Sequence, residues 1–140
     1  MNMGLRSFLH RLTAPPPSRR TGSGPVKLVC VVNQSLKMGK GKMAAQVGHA
    51  SVQAFLNGGV SHPSEIEAWL ASGQKKICLK TPGAEDFESL QKEAKRRGIP
   101  THIVHDAGHT QIPRGSATVL ALGPFDEAAL DELTGHLKLL

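Results

Sequence analysis

The sequence predicts an α/β fold, a sheet-centred sandwich in which four strands alternate with four helices. Three observations carry that expectation. Short apolar runs rich in Val, Ile and Leu recur along the chain. Segments with helical spacing of apolar residues separate them. Gly, Pro and Ser/Asp signals fall at the junctions. Apolar residues make up 39% of the chain and aromatic residues only 4%, so the core must be aliphatic. The same scarcity of rings argues against a single-strand binder that stacks bases on aromatic platforms.

Regular patterning begins at Val26, which divides the 140 residues into an extension, 1–25, and a domain, 26–140. In the extension, Leu5, Phe8, Leu9 and Leu12 lie at helical spacing with Arg6 and Arg11 among them, ahead of Pro15-Pro16-Pro17. An amphipathic, arginine-bearing, acid-free segment suits a mitochondrial transit peptide, and equally an uncleaved basic extension. Localisation is therefore expected to be mitochondrial or cytoplasmic. No apolar stretch is long enough for a membrane helix, so no membrane partner is expected.

Within the domain, Val26–Val32 reads as a strand covered on both faces, because its apolar run is broken only by Lys27. Gly39-Lys40-Gly41 reads as a tight loop. Lys42–Asn57 follows as a helix apolar over much of its girth, ended by Gly58-Gly59. Ser64-Glu65-Ile66-Glu67 resembles a capping box, which starts a helix running to about Ala71. Lys75–Lys80 is a short strand. Ala84–Gly98 is a helix with Phe87, Leu90 and Ala94 inward, and Thr101–His105 is a third strand. A polar loop, Ala107–Ser116, leads to a fourth strand, Ala117–Leu122. Gly123-Pro124 turns the chain, and Asp126 caps a last helix to about His136.

Charge is distributed unevenly. All eleven acidic residues lie from Glu65 onward, whereas eight of the seventeen Lys and Arg precede it. A one-sided basic half is the electrostatic footprint of a polyanion partner. Cys30 and Cys78 sit in apolar runs with no metal-type spacing, as expected of buried reduced thiols. His105 and His109 lie across a strand end and a Gly loop, not at the rigid i, i+4 spacing of a helical zinc site, so no metal is expected.

The segment Gly39–Gln46 is the richest in chemistry. A Gly-containing turn feeding a helix exposes unpaired amides at the positive helix end, and Lys40 and Lys42 add charge there. It is not a nucleoside-triphosphate loop, because Lys42 is followed by Met43 and position 36 is Leu. Alone, the segment is no more than an anion-binding helix start.

It recurs in company. Leu36-Lys37-Met38-Gly39-Lys40-Gly41-Lys42, Ala44-Ala45-Gln46 and His49-Ala50 are followed by Trp69 with Gly73-Gln74-Lys75-Lys76. Asp106-Ala107-Gly108, Thr110-Gln111-Ile112-Pro113 and Gly115-Ser116 with Thr118-Val119-Leu120 come next. Gly123-Pro124 and Thr134-Gly135-His136-Leu137-Lys138-Leu139 close the series. In these blocks, over about residues 26–140, the chain resembles the class II peptidyl-tRNA hydrolases of archaea and eukaryotes. The resemblance implies a mixed four-stranded sheet with helices on both faces, a three-layer sandwich, in a homodimer. It implies hydrolysis of the ester between peptide and tRNA, recycling tRNA, with no metal or other cofactor. The family's proposed functional residues map onto Lys42, Asp106, Thr110 and Thr118 as the catalytic set. Lys37, Lys40, Gln46 and Gln111 are the expected contacts to the substrate, peptidyl-tRNA.

Those residue types suit the reaction. Ester hydrolysis needs an activated water, a stabilised oxyanion and a grip on the tRNA backbone. Asp106 is the acidic residue of the motif blocks and the candidate for orienting or activating water. Lys42 could stabilise the oxyanion or hold a phosphate. Thr110 and Thr118 can donate hydrogen bonds but lack an adjacent base to become nucleophiles. His49 and His136 read as packed or partly exposed residues outside the chemistry. Family members often carry Arg and Asp where this chain has Asn33-Gln34-Ser35, and Arg or Lys where it has His109. Those departures motivate a competing expectation, a non-catalytic tRNA- or protein-binding module.

Overall fold

A computed structural model describes residues 24–108 and 115–140. Its elements are β1 (Val26–Asn33), a 3-10 turn (Gln34–Leu36), α1 (Lys40–Ser61), α2 (Pro63–Ala71), β2 (Lys76–Thr81), α3 (Glu85–Arg96), β3 (Thr101–His105), β4 (Ala117–Asp126), α4 (Glu127–Thr134) and β5 (Lys138–Leu139). The fold is α/β with a mixed sheet, but the sheet has five strands, in the order β3-β4-β1-β2-β5, where four were expected. The fifth, β5, is two residues long and pairs antiparallel to β2 through Leu79↔Leu139 and Lys80↔Lys138. So short a strand carries no periodicity of its own; only its remote partner makes it a strand.

β1 is the hub, parallel to β2 and antiparallel to β4, and β3 is antiparallel to β4. Strands β1, β2 and β3 therefore run in one direction and deliver their carboxyl ends to the same sheet edge, where open α/β sheets place their ligands. All eight residues of β1 are buried. Alternation splits them: Val29 and Val31 join a core cluster with Phe87 and Leu90 of α3 and Leu130 and Leu133 of α4. Leu28, Cys30 and Val32 join a second cluster with Ala50 and Ala54 of α1 and Trp69 of α2. The continuous apolar run thus reflects two buried faces, and Lys27 is tolerated because its ammonium pairs with Asp131.

Three junctions differ from expectation. Helix α1 does not stop at Gly58-Gly59 but continues to Ser61. A Cβ on Gly58 would lie 2.7 Å from Ile66 Cδ1, so this glycine serves the close approach of α2 and is not a helix stop. Ser64 does not cap α2: the helix starts a residue earlier with Pro63 at its first position, after His62, and the Ser64 hydroxyl bonds Glu65 Oε2 at 3.0 Å. Strand β4 runs on through Gly123-Pro124, a cis peptide, to Asp126, instead of turning there. Asp126 does cap the last helix, its side chain accepting from Ala129 N at 3.2 Å. Among the described residues no helix is long and apolar enough to cross a membrane.

Candidate active site

At the shared strand edge, side chains from three elements meet. Lys42 stands in the first turn of α1, whose N-cap, Gly39, makes no side-chain capping bond. One helical turn on, Gln46 occupies the same face. Asp106 directly follows β3, and Thr118 is the second residue of β4.

The Lys42 ammonium forms an ion pair with Asp106 Oδ2. The Asp106 side chain is fully buried, whereas that of Lys42 keeps 19% of its surface open. The other carboxylate oxygen, Oδ1, accepts from Gly108 N at 2.6 Å. The Asp106 backbone is tied as well: its N–H donates to Ser116 O and its carbonyl accepts from Gly115 N, each at 2.9 Å. One residue therefore anchors a cation by its side chain and the residues leading into β4 by its backbone. Removing either partner of a buried pair leaves an uncompensated charge, at a cost of about 3–5 kcal/mol.

Beside the ion pair, Thr118 is wholly buried and its hydroxyl donates to Gln46 Oε1 at 2.7 Å, with Val104 O at 3.2 Å. Gln46 is itself buried, and its Nε2 makes no hydrogen bond among the described residues. Thr118 thus holds the acceptor end of an amide whose donor end is unclaimed by them.

Lys37 and Lys40 lie outside this cluster and are exposed, Lys37 ahead of α1 and Lys40 as its first residue. Lys37, not a glycine, takes the left-handed backbone there, with φ 50°. The expected tight loop Gly39-Lys40-Gly41 is instead the N-cap and first two residues of α1, with open space where a Cβ on Gly39 or Gly41 would stand. Thr110 and Gln111, expected at the site, lie outside the described residues, as do His109 and the extension before Gly24.

The remaining candidates stand apart. His49 and His136 are exposed. His105 Nδ1 lies 3.1 Å from Gly115 O, and burial, then the neighbouring His105, pulls the His102 pKa down. Among the described residues no three His, Cys, Asp or Glu cluster as metal ligands. Cys30 and Cys78 are free and face each other across β1 and β2, and burial pushes the Cys30 thiol up to about 12, out of nucleophilic range. Asn33, which in the sequence stands out only as a departure from the family pattern, is buried at the same edge and hydrogen-bonded on both ends of its amide. The signal was present in the Asn-x-Ser spacing, a common local cap.

Comparison with known proteins is consistent across kingdoms. The family described as peptidyl-tRNA hydrolase PTH2 matches residues 26–140. A peptidyl-tRNA hydrolase of Methanocaldococcus jannaschii is 43% identical over 115 residues, spanning 82% of this chain and all of that protein. One from Thermococcus onnurineus is 44% identical, covering 81% of this chain and 97% of its own length. The human protein named peptidyl-tRNA hydrolase 2, mitochondrial, is 44% identical over 95% of this chain and 74% of its own length.

Proposed function

This chain belongs to the peptidyl-tRNA hydrolase PTH2 family, and from that premise we propose that it hydrolyses the ester joining a peptide to the terminal ribose of tRNA, returning tRNA to translation. The observation that carries the mechanism is the asymmetric burial of the Lys42–Asp106 pair. Asp106 commits one carboxylate oxygen to the Lys42 ammonium and the other to the Gly108 N–H, and is itself shut off from solvent. Asp106 therefore positions Lys42, and the partly open ammonium meets the substrate. Water adds to the ester carbonyl carbon while the carbonyl oxygen gains charge; one of the water's protons passes to the departing ribose oxygen and the other is lost to solvent as the carboxylate forms. Lys42 Nζ, and Nε2 of Gln46 beside it, donate to that oxyanion. Collapse breaks the bond to the ribose oxygen, which leaves with a proton, giving free tRNA and a peptide carboxylate. Thr118 acts through Gln46, fixing its amide.

Lys37 and Lys40 supply phosphate contacts where the chain enters α1, Gln111 adds a further substrate contact, and Thr110 belongs with the catalytic set. The reaction needs no metal. Named hydrolases in archaea and animals leave the non-catalytic alternative unsupported. Val52, Leu56 and Val60 form an exposed stripe along α1, 57%, 55% and 82% accessible, which suits a homodimer contact. The two core clusters suit a three-layer arrangement. Mitochondrial names among the human, mouse and bovine relatives support import directed by residues 1–25.

The decisive experiment incubates the protein with a peptidyl-tRNA, with and without chelator. Equal release of tRNA in both is expected, and no release would overturn the reading. A sedimentation mass near 15 kDa at micromolar concentration would contradict the dimer.

A further inference from the structure

We infer that Asn33 is a positioning residue for substrate binding, one that fixes the segment 34–39, which carries Lys37 and leads into α1 at Lys40, against the strand carrying Thr118. The inference rests on the proposed tRNA substrate. Asn33 ends β1 and is only 3% exposed, so it does not itself meet a substrate. Its amide is divided between two jobs. Oδ1 accepts from Ser35 N at 3.1 Å and Ser35 Oγ at 2.7 Å, capping the 3-10 turn. Nδ2 donates to Ala117 O at 3.0 Å, one residue before Thr118.

The backbone just past the turn shows why such an anchor is needed. Lys37 N closes the turn on Gln34 O at 3.1 Å, and Lys37 then adopts φ 50°, a conformation that non-glycine residues rarely hold unless their surroundings impose it. Past Lys37 the chain lacks a side-chain cap at Gly39. Lys40 opens α1, so the stretch that leans on the Asn33 amide is 34–39, which carries Lys37 and sets the entry to Lys40. The chemical pairs Lys42–Asp106 and Gln46–Thr118 have anchors of their own. Loosening Asn33 should reach binding before chemistry. Neither Ala nor Asp can replace both functions, since neither donates to Ala117 O.

The test measures tRNA affinity against salt, because the slope counts phosphate contacts and is blind to simple loss of stability. Asn33→Ala should weaken tRNA binding about 3–10-fold and lower the salt slope by about one per lost lysine contact, with kcat reduced less than about threefold. Ser35→Ala alters an exposed residue and leaves the fold intact; it should weaken binding about twofold in the same direction, and Ser35→Thr should restore it. Folded Asn33→Ala and Ser35→Ala proteins with the parent affinity and slope would overturn the inference, as would a loss confined to kcat. If the parent protein binds tRNA but does not cleave the ester, the hydrolase reading fails while the slopes still decide the role of Asn33. If it does not bind tRNA at all, both fall.

Discussion

Two groups of charges in this molecule use the same chemistry to different ends. At the strand edge, Lys42 and Asp106 form a pair whose carboxylate is fully buried. On the far side of the sheet, Glu93 is held by Arg96 and Arg97, and Arg97 reaches Glu132 at 3.2 Å, all on solvent-facing helix surfaces. The surface group has more bonds, and its arginines pull the Glu93 carboxyl down to about 2. Yet water screens it, and exposed pairs of this kind contribute little to stability. The buried pair has fewer bonds and larger consequences, because its carboxylate is shut off from water. The number of ion pairs is a poor guide to importance; burial decides.

Substitutions should separate the two regions by size of effect. Lys42→Met should lower single-turnover ester cleavage by about 10²–10³ and destabilise the fold by about 3–5 kcal/mol, since Asp106 loses its cation. Adding Asp106→Asn should recover part of that stability in urea denaturation without restoring cleavage. A double variant no more stable than Lys42→Met alone would mean that the pair is not the buried ion pair described. Thr118→Val should come next, costing about 1–3 kcal/mol and roughly tenfold in turnover, as Gln46 loses its orienting hydroxyl. A wild-type rate there would remove Gln46 from the chemistry.

Salt sharpens the contrast further. About 1 M salt should leave the stability gap between wild type and Lys42→Met largely intact and erase any gap for Glu93→Gln. Glu93→Gln itself should shift Tm by about 1 °C or less and leave cleavage unchanged. Because the folded Glu93 pKa is depressed from 4.5 to about 2, its small stabilisation is complete above pH 4.5 and is lost as pH falls toward 2. A larger Glu93→Gln effect near pH 2 than at pH 7 would contradict this.

Much of the architecture was legible because β1 and β4 bury both faces and α3 carries a clear apolar stripe. What misled were places where a distant partner overrides a local signal. Gly58 looks like a helix stop until Ile66 packs against it. The Ser64 cap loses to Pro63, and β5 exists only through its pairing with the remote β2. At the site, residue types singled out Lys42 and Asp106 as candidates, but not that the two pair or that Asp106 is the one fully buried. Asn33 looked like a loss of charge, because its partner Ala117 lies 84 positions away.

Independently of its hold on Lys42, Asp106 is tied by its backbone to the residues just ahead of β4: its N–H donates to Ser116 O and its carbonyl accepts from Gly115 N. These bonds continue the β3–β4 pairing past His105 and Ala117. The sheet, and not the ion pair, therefore sets where the carboxylate stands. In mechanical terms Lys42 is the moving jaw of a clamp and Asp106 the fixed one.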